Sequence, residues 1–186
     1  MTNRLFVCGL LATSLVWGIA HGERVDVEGS ASLPEFTHKE TTAWLNSTPL
    51  TVRDLRGKVV LVHVWTFECS NCYRSLPWLA GVADKYLGRG LVEIGIHTPE
   101  FEREKVAANV AAKVKEFGID HPVMIDNNFS YWRALDNQYW PAWYIVDARG
   151  RIRARVIGEV HASDPRARAI EATIDDLIAE RDGGAE

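Results

Sequence analysis

The chain has 186 residues, 47% of them hydrophobic and 25% charged, with seven Trp and three Cys. That balance fits one globular domain and excludes a disordered, collagenous or disulfide-dense chain. Lys and Arg number 21 against 25 Asp and Glu, a formal net charge of −4, so no basic excess marks a nucleic-acid partner.

Residues 1–22 read as a removable export signal. The apolar run from Leu5 to Ala20 follows Arg4 and ends in Ala20-His21-Gly22, which puts small residues where a signal peptidase cuts. An uncleaved N-terminal anchor is the alternative, but the run falls short of the ~20 residues that span a bilayer comfortably. Cleavage near Gly22 removes Cys8 and Arg4, moves the net charge to −5 and leaves two cysteines. A periplasmic or other extracytoplasmic protein with no stable membrane insertion is the expectation. Residues 23–32 are small and polar, a flexible lead-in to a domain spanning 33–182.

Along that domain, Thr42–Leu45 and Leu50–Val52 suggest an N-terminal edge hairpin. Val59-Val60-Leu61-Val62-His63-Val64-Trp65 is a β-branched run suited to a central strand buried on both faces. A helix follows, with Leu76, Leu79, Ala83 and Tyr86-Leu87 on one face and Gly88 as its stop. Leu91 to Ile96 forms a second strand. Thr98-Pro99 reads as N-cap and first helical position of another helix, with Val106, Val110, Val114 and Phe117 as its buried stripe and Gly118 as its end. Val123-Met124-Ile125 and Tyr144-Ile145-Val146 are further strands, and Ala148-Arg149-Gly150 turns the latter into Arg151–Ile157. The last helix starts at Asp164-Pro165 and buries Ile170, Ile174, Leu177 and Ile178. This order predicts an α/β domain with a mixed sheet flanked by helices, whose site lies at the carboxyl ends of the parallel strands.

Cys69-Ser70-Asn71-Cys72 stands at that place, between the first strand and the first helix. Both thiols lie in or beside the first helical turn, where exposed N–H groups and the helix dipole stabilise a thiolate on Cys69. Cys69 is then the attacker and Cys72 the resolver, the pair alternating between dithiol and disulfide. A disulfide kept for stability alone is a weaker reading, since so small a loop constrains the unfolded chain little. A structural zinc site lacks a second cysteine pair. A thiol peroxidase finds support in Thr66, three residues before Cys69, but Val62 stands where such an enzyme's Pro is expected. A redox-inert binding module leaves the pair of cysteines without a purpose.

Gly57-Lys58-Val59-Val60-Leu61-Val62, Trp65-Thr66-Phe67-Glu68-Cys69-Ser70-Asn71-Cys72, Leu76-Pro77 and Tyr139-Trp140-Pro141-Ala142 together resemble extracytoplasmic thioredoxin-like proteins of the TlpA-like and DipZ-type branch. The resemblance runs from about Leu33 to Glu159. It implies a thioredoxin-like fold carrying an extra strand–helix insertion. It also implies a thiol:disulfide oxidoreductase without a bound cofactor or metal, preferring reduction, fed by a membrane thiol donor and acting on protein disulfides such as those of apocytochrome c. Pro141 is then a cis-proline beside the dithiol, with Trp140 either a wall of the substrate groove or core filling. Pro77 is expected to kink the first helix.

The departures bear on mechanism. Glu68 precedes Cys69 and puts a carboxylate where it opposes thiolate formation. His63 lies six residues before Cys69, where thioredoxins hold a buried Asp that assists Cys72. An imidazole there serves either as a proton acceptor or as a neutral core histidine. His97 and Glu100 stand on the same carboxyl edge, as relay groups or, for Glu100, as a helix-dipole partner.

Overall fold

The computed structural model describes residues 31–86 and 88–184. The expected signal, 1–22, and most of the lead-in lie outside these residues. No helix among the described residues is long and apolar enough to cross a membrane.

The strands are β1 (Trp44–Leu45), β2 (Val59–Trp65), β3 (Leu91–His97), β4 (Val123–Ile125), β5 (Ala142–Val146) and β6 (Ile152–Ile157). The helices are α1 (Ser70–Tyr86), α2 (Ala107–Glu116), α3 (Ser130–Ala134) and α4 (Pro165–Gly183). The sheet order is β1-β4-β3-β2-β5-β6, with β2, β3 and β4 parallel and the other pairings antiparallel. Every residue of β2 is buried, as its β-branched run requires of a strand with neighbours on both sides and packing on both faces. Alternation divides it. Val60, Val62 and Val64 join one core with Phe36, Trp44, Tyr131 and Tyr144. Val59 and Leu61 face the other way, onto Trp78, Leu79 and Val82 of α1 and Ile170 and Ile174 of α4. Trp65 continues that second face into a cluster with Cys72 and with Val110 and Val114 of α2.

The added unit is α2 followed by β4, set between β3 and α3. Several expectations are corrected. Among the described residues no N-terminal hairpin forms: Trp44–Leu45 pairs with Val123–Met124 of β4, and Val52–Leu55 is a 3-10 turn preceded by Thr51, whose N–H donates to Asp54. The domain is docked two residues before Leu33, since Ile152 N–H donates to Ala31 O and Ser32 bridges Arg151. On α1 the inward positions include Trp78 and Val82, and Ala83 is exposed. Gly88 follows α1 in the left-handed region at φ 73°, where a side chain is strained.

The helix expected from Thr98-Pro99 begins instead at Ala107. Thr98 is fully buried, its N–H donating to Trp65 O at 3.0 Å. The next N–H groups, those of Glu100 and Phe101, donate to the Glu104 carboxylate at 2.7 and 2.8 Å. That side chain wins the donors a first helical turn would leave free, and a 3-10 turn, Glu102–Lys105, forms around it. Val106 is exposed in consequence, while Val110 and Val114 are buried and Gly118, at φ 65°, closes the segment.

Candidate active site

The dithiol sits where β2 gives way to α1. Cys69 and Cys72 form a disulfide, with Cα atoms 5.2 Å apart. Cys69 occupies the N-cap position: Cys72 N–H donates to Cys69 Sγ at 3.2 Å and Tyr73 N–H to Cys69 O at 3.0 Å. The sulfur thus takes the place of the side-chain oxygen that ordinarily receives an orphan donor of the first turn, here the Cys72 N–H, and a thiolate there gains from the same N–H group and from the dipole. Cys69 is half-buried, whereas Cys72 is only 4% exposed.

Three segments meet at this end of the sheet. Trp65 is paired with His97, so the chain after β3 leaves beside the chain after β2. Ala142 of β5 lies opposite Val64, which brings Trp140-Pro141 to the same edge. The Trp140–Pro141 peptide is cis, and Pro141 is buried. Trp140 is half-buried, its ring against Trp132 at 4.3 Å and its indole N–H donating to Thr98 O at 3.0 Å. Exposed aromatic side chains come from each side: Tyr73 on α1, Phe101 after β3 and Tyr139 before Pro141.

Beneath the dithiol loop lies a buried carboxylate that motif reading passes over. Glu104 is fully buried and accepts from Thr66 Oγ1, from Glu68 N–H at 2.9 Å and from the two N–H groups of Glu100 and Phe101. It joins the loop that carries Cys69 to the loop after β3. Burial works to raise its carboxyl, but the Thr66 hydroxyl and the three N–H groups outweigh that and hold it below the usual range. Glu68 itself pairs with Arg103, one residue before Glu104, so its charge beside Cys69 is partly offset. Glu100 is exposed and contributes through its backbone alone.

His97 is fully buried, stacked on Phe67 with ring centroids 5.6 Å apart, and 3.4 Å from Thr66 Oγ1. Burial pushes its pKa down to about 4 against the opposing pull of Glu104. His63, also buried, is held well below its ordinary value by burial and by the neighbouring His121. Both are neutral at pH 7. Since unfolded histidine binds a proton below about pH 6.5, the unfolded state takes up more protons between there and pH 4, and stability falls as the pH drops. His97 alone is expected to cost about 3 kcal/mol by pH 4. Urea denaturation at pH 7, 5.5 and 4 measures this loss, and an equal loss in His97→Asn contradicts the assignment.

Among the described residues no group of three His, Cys, Asp or Glu side chains is arranged to hold a metal. The sequence profile of the family described as Redoxin matches residues 28–171. The chain belongs to the redoxin family. Protein DipZ of Mycobacterium tuberculosis is 41% identical over 136 residues, 72% of this redoxin but only 19% of DipZ. The thiol-disulfide oxidoreductase YkuV of Bacillus subtilis is 28% identical over 121 residues, 65% of this chain and 80% of YkuV. Among solved structures, the thioredoxin-like superfamily protein SPOA0173 superposes with a TM-score of 0.69 at 25% identity, over 79% of this chain and 96% of that one. This redoxin therefore has the thioredoxin-like fold, and it spans about a fifth of DipZ.

Proposed function

We propose that this redoxin is an extracytoplasmic thiol:disulfide oxidoreductase that reduces protein disulfides. The observation that carries the reading is the Cys69–Cys72 pair at the start of α1, one sulfur accessible and capped by an N–H, the other buried behind it. Cys69 thiolate attacks a substrate disulfide, forming a mixed disulfide and releasing one substrate thiolate. Cys72 then loses its proton and attacks Cys69 Sγ, releasing the second substrate thiol and leaving the intramolecular disulfide. Two electrons pass from the dithiol to the substrate. A membrane thiol donor restores them.

His63 is the proton acceptor for Cys72 in this scheme. It shares a face of β2 with Trp65, whose side chain packs in one cluster with Cys72. Pro141 and Trp140 border the groove for an extended substrate segment, with Tyr73, Phe101 and Tyr139 as its apolar rim. Reduction is favoured because Glu68 precedes Cys69 and the Glu104 carboxylate accepts from the Glu68 N–H. Two carboxylates, one partly offset by Arg103, thus belong to the loop that carries Cys69 and work against its thiolate, and a dithiol with less stabilised thiolate is the better reductant. Export rests on the apolar run Leu5–Ala20 after Arg4. A peroxidase is disfavoured by Thr66, whose hydroxyl is buried and donates to Glu104.

Equilibration of the protein across glutathione and dithiothreitol ratios tests the direction. A potential near about −270 mV, that of thioredoxin-type reductants, is expected. One near about −120 mV, that of strong oxidants, contradicts it.

A further inference from the structure

His63 does not end in the core. Its Nε2 lies 2.8 Å from Nε2 of His121, and His121 Nδ1 lies 3.3 Å from Glu93 Oε2. The two imidazoles meet edge to face, centroids 4.9 Å apart, across the width of β3. His63 belongs to β2 and His121 precedes β4, so β3 runs between them. The β3 residue in register with His63 is Gly95, and a Cβ there would stand 3.0 Å from His63 Nε2. The glycine keeps clear the ground on which the rings touch.

The far end of the chain opens outward. Glu93 is buried with one carboxylate oxygen, Oε1, lacking any partner. Together with His121 it lines a cleft of about 200 Å³ bounded by Ala83, Tyr86, Gly88 and Leu91. Of these wall residues Ala83 and Tyr86 lie in the last turn of α1 and Gly88 and Leu91 follow it, whereas the dithiol lies at the helix start; the 17 residues from Cys69 to Tyr86 span roughly 25 Å. The cleft is therefore remote from the surface on which a substrate covers Cys69.

We infer that His63, His121 and Glu93 form a back-door proton relay that connects Cys72 to solvent while a substrate occludes the dithiol. This rests on the reading of His63 as the acceptor for Cys72. Only one of the two facing Nε2 atoms carries the hydrogen between them, so the pair is a donor and an acceptor. As the Cys72 sulfur attacks Cys69, its proton goes to His63 Nδ1, the nitrogen not engaged by His121. His63 Nε2 then passes its hydrogen to His121 Nε2, and His121 Nδ1 passes its own to Glu93, from which it reaches water. The sulfur's electron pair makes the new bond, and one proton leaves for each disulfide closed. Reduction of the Cys69–Cys72 disulfide by the incoming dithiol runs the transfers backward and restores both tautomers, so no ring has to flip. His121 and Glu93 touch no reacting atom and are positioning residues.

The test uses the reduced protein and Ellman's reagent. Attack by Cys69 releases one coloured aryl thiolate and leaves a mixed disulfide; attack by Cys72 releases the second. The aryl thiolate leaves without needing a proton, so the second release isolates deprotonation of Cys72. His121→Ala is expected to slow the second release about tenfold or more and to leave the first unchanged. Imidazole at tens of millimolar, entering the enlarged cleft, is expected to restore the rate. Glu93→Gln is expected to slow the second release in the same direction, and it serves should His121→Ala fail to fold. A second release slowed in His63→Gln but normal in His121→Ala and Glu93→Gln overturns the relay and keeps His63. A slowing that imidazole leaves untouched makes the pair structural and also overturns it. Normal rates in all three variants remove His63 from the mechanism as well, and a wild-type protein with no second release contradicts the dithiol function itself.

Discussion

Cys69→Ser is expected to reduce insulin disulfides no faster than the reductant alone. A serine hydroxyl cannot donate the electrons that a thiolate gives, so no conservative residue preserves the step. Cys72 cannot stand in for it. Cys72 is only 4% exposed and lies within α1, out of reach of a folded substrate, whereas Cys69 is half-buried at the helix start. Cys72→Ser is expected to fail differently. Its Cys69 retains the cap position and attacks, but the mixed disulfide has no internal thiol to release it, and turnover stops after one event. The two variants are thus equally inactive in steady state and distinct in a single turnover.

The second large effect is expected at Glu104. Truncation to Ala leaves the Thr66 hydroxyl and the N–H groups of Glu68, Glu100 and Phe101 without their acceptor. An orphaned buried donor costs about 1–3 kcal/mol, and water entering the space vacated by the carboxylate recovers part of the sum. A net loss of about 3–5 kcal/mol is expected, read as a lower urea midpoint at unchanged slope. Glu104→Gln, which keeps one acceptor oxygen, is expected to lose less. It is also expected to make the Cys69–Cys72 pair less reducing, because a negative charge beside the thiolate is gone. A loss under about 1 kcal/mol in Glu104→Ala contradicts the role given to this carboxylate.

Much of this architecture was written in local pattern. The β-branched run 59–65, the Asp164-Pro165 helix start and the strand-to-helix placement of Cys69 each rest on residues within one or two turns of each other, and each appears in the structure. Asp164 does accept the Arg166 N–H as an N-cap. What escaped depends on partners distant in the chain. Glu104 reads as one charge among Glu102-Arg103-Glu104-Lys105, and only the return of residues 66–68 to it, 36 to 38 positions away, makes it a buried acceptor. The same carboxylate undid the helix expected at Thr98-Pro99. Helix α3 escaped because its organiser, Asp126, lies four residues before it and caps it with both oxygens, accepting from Tyr131 and Trp132 N–H. One faint signal was available for the histidine pair: Glu93 and Gly95 both interrupt the apolar run Leu91–Ile96, and a glycine inside a strand marks a close approach by another group.

The most direct measurement is mass-mapped capture of a mixed disulfide. Reduced Cys72→Ser, mixed with a disulfide-containing protein substrate, quenched in acid and digested, is expected to yield one cross-linked peptide, joined through Cys69. Absence of any cross-link, or an equal yield of cross-link from Cys69→Ser through Cys72, would contradict the assignment of Cys69 as the attacking sulfur.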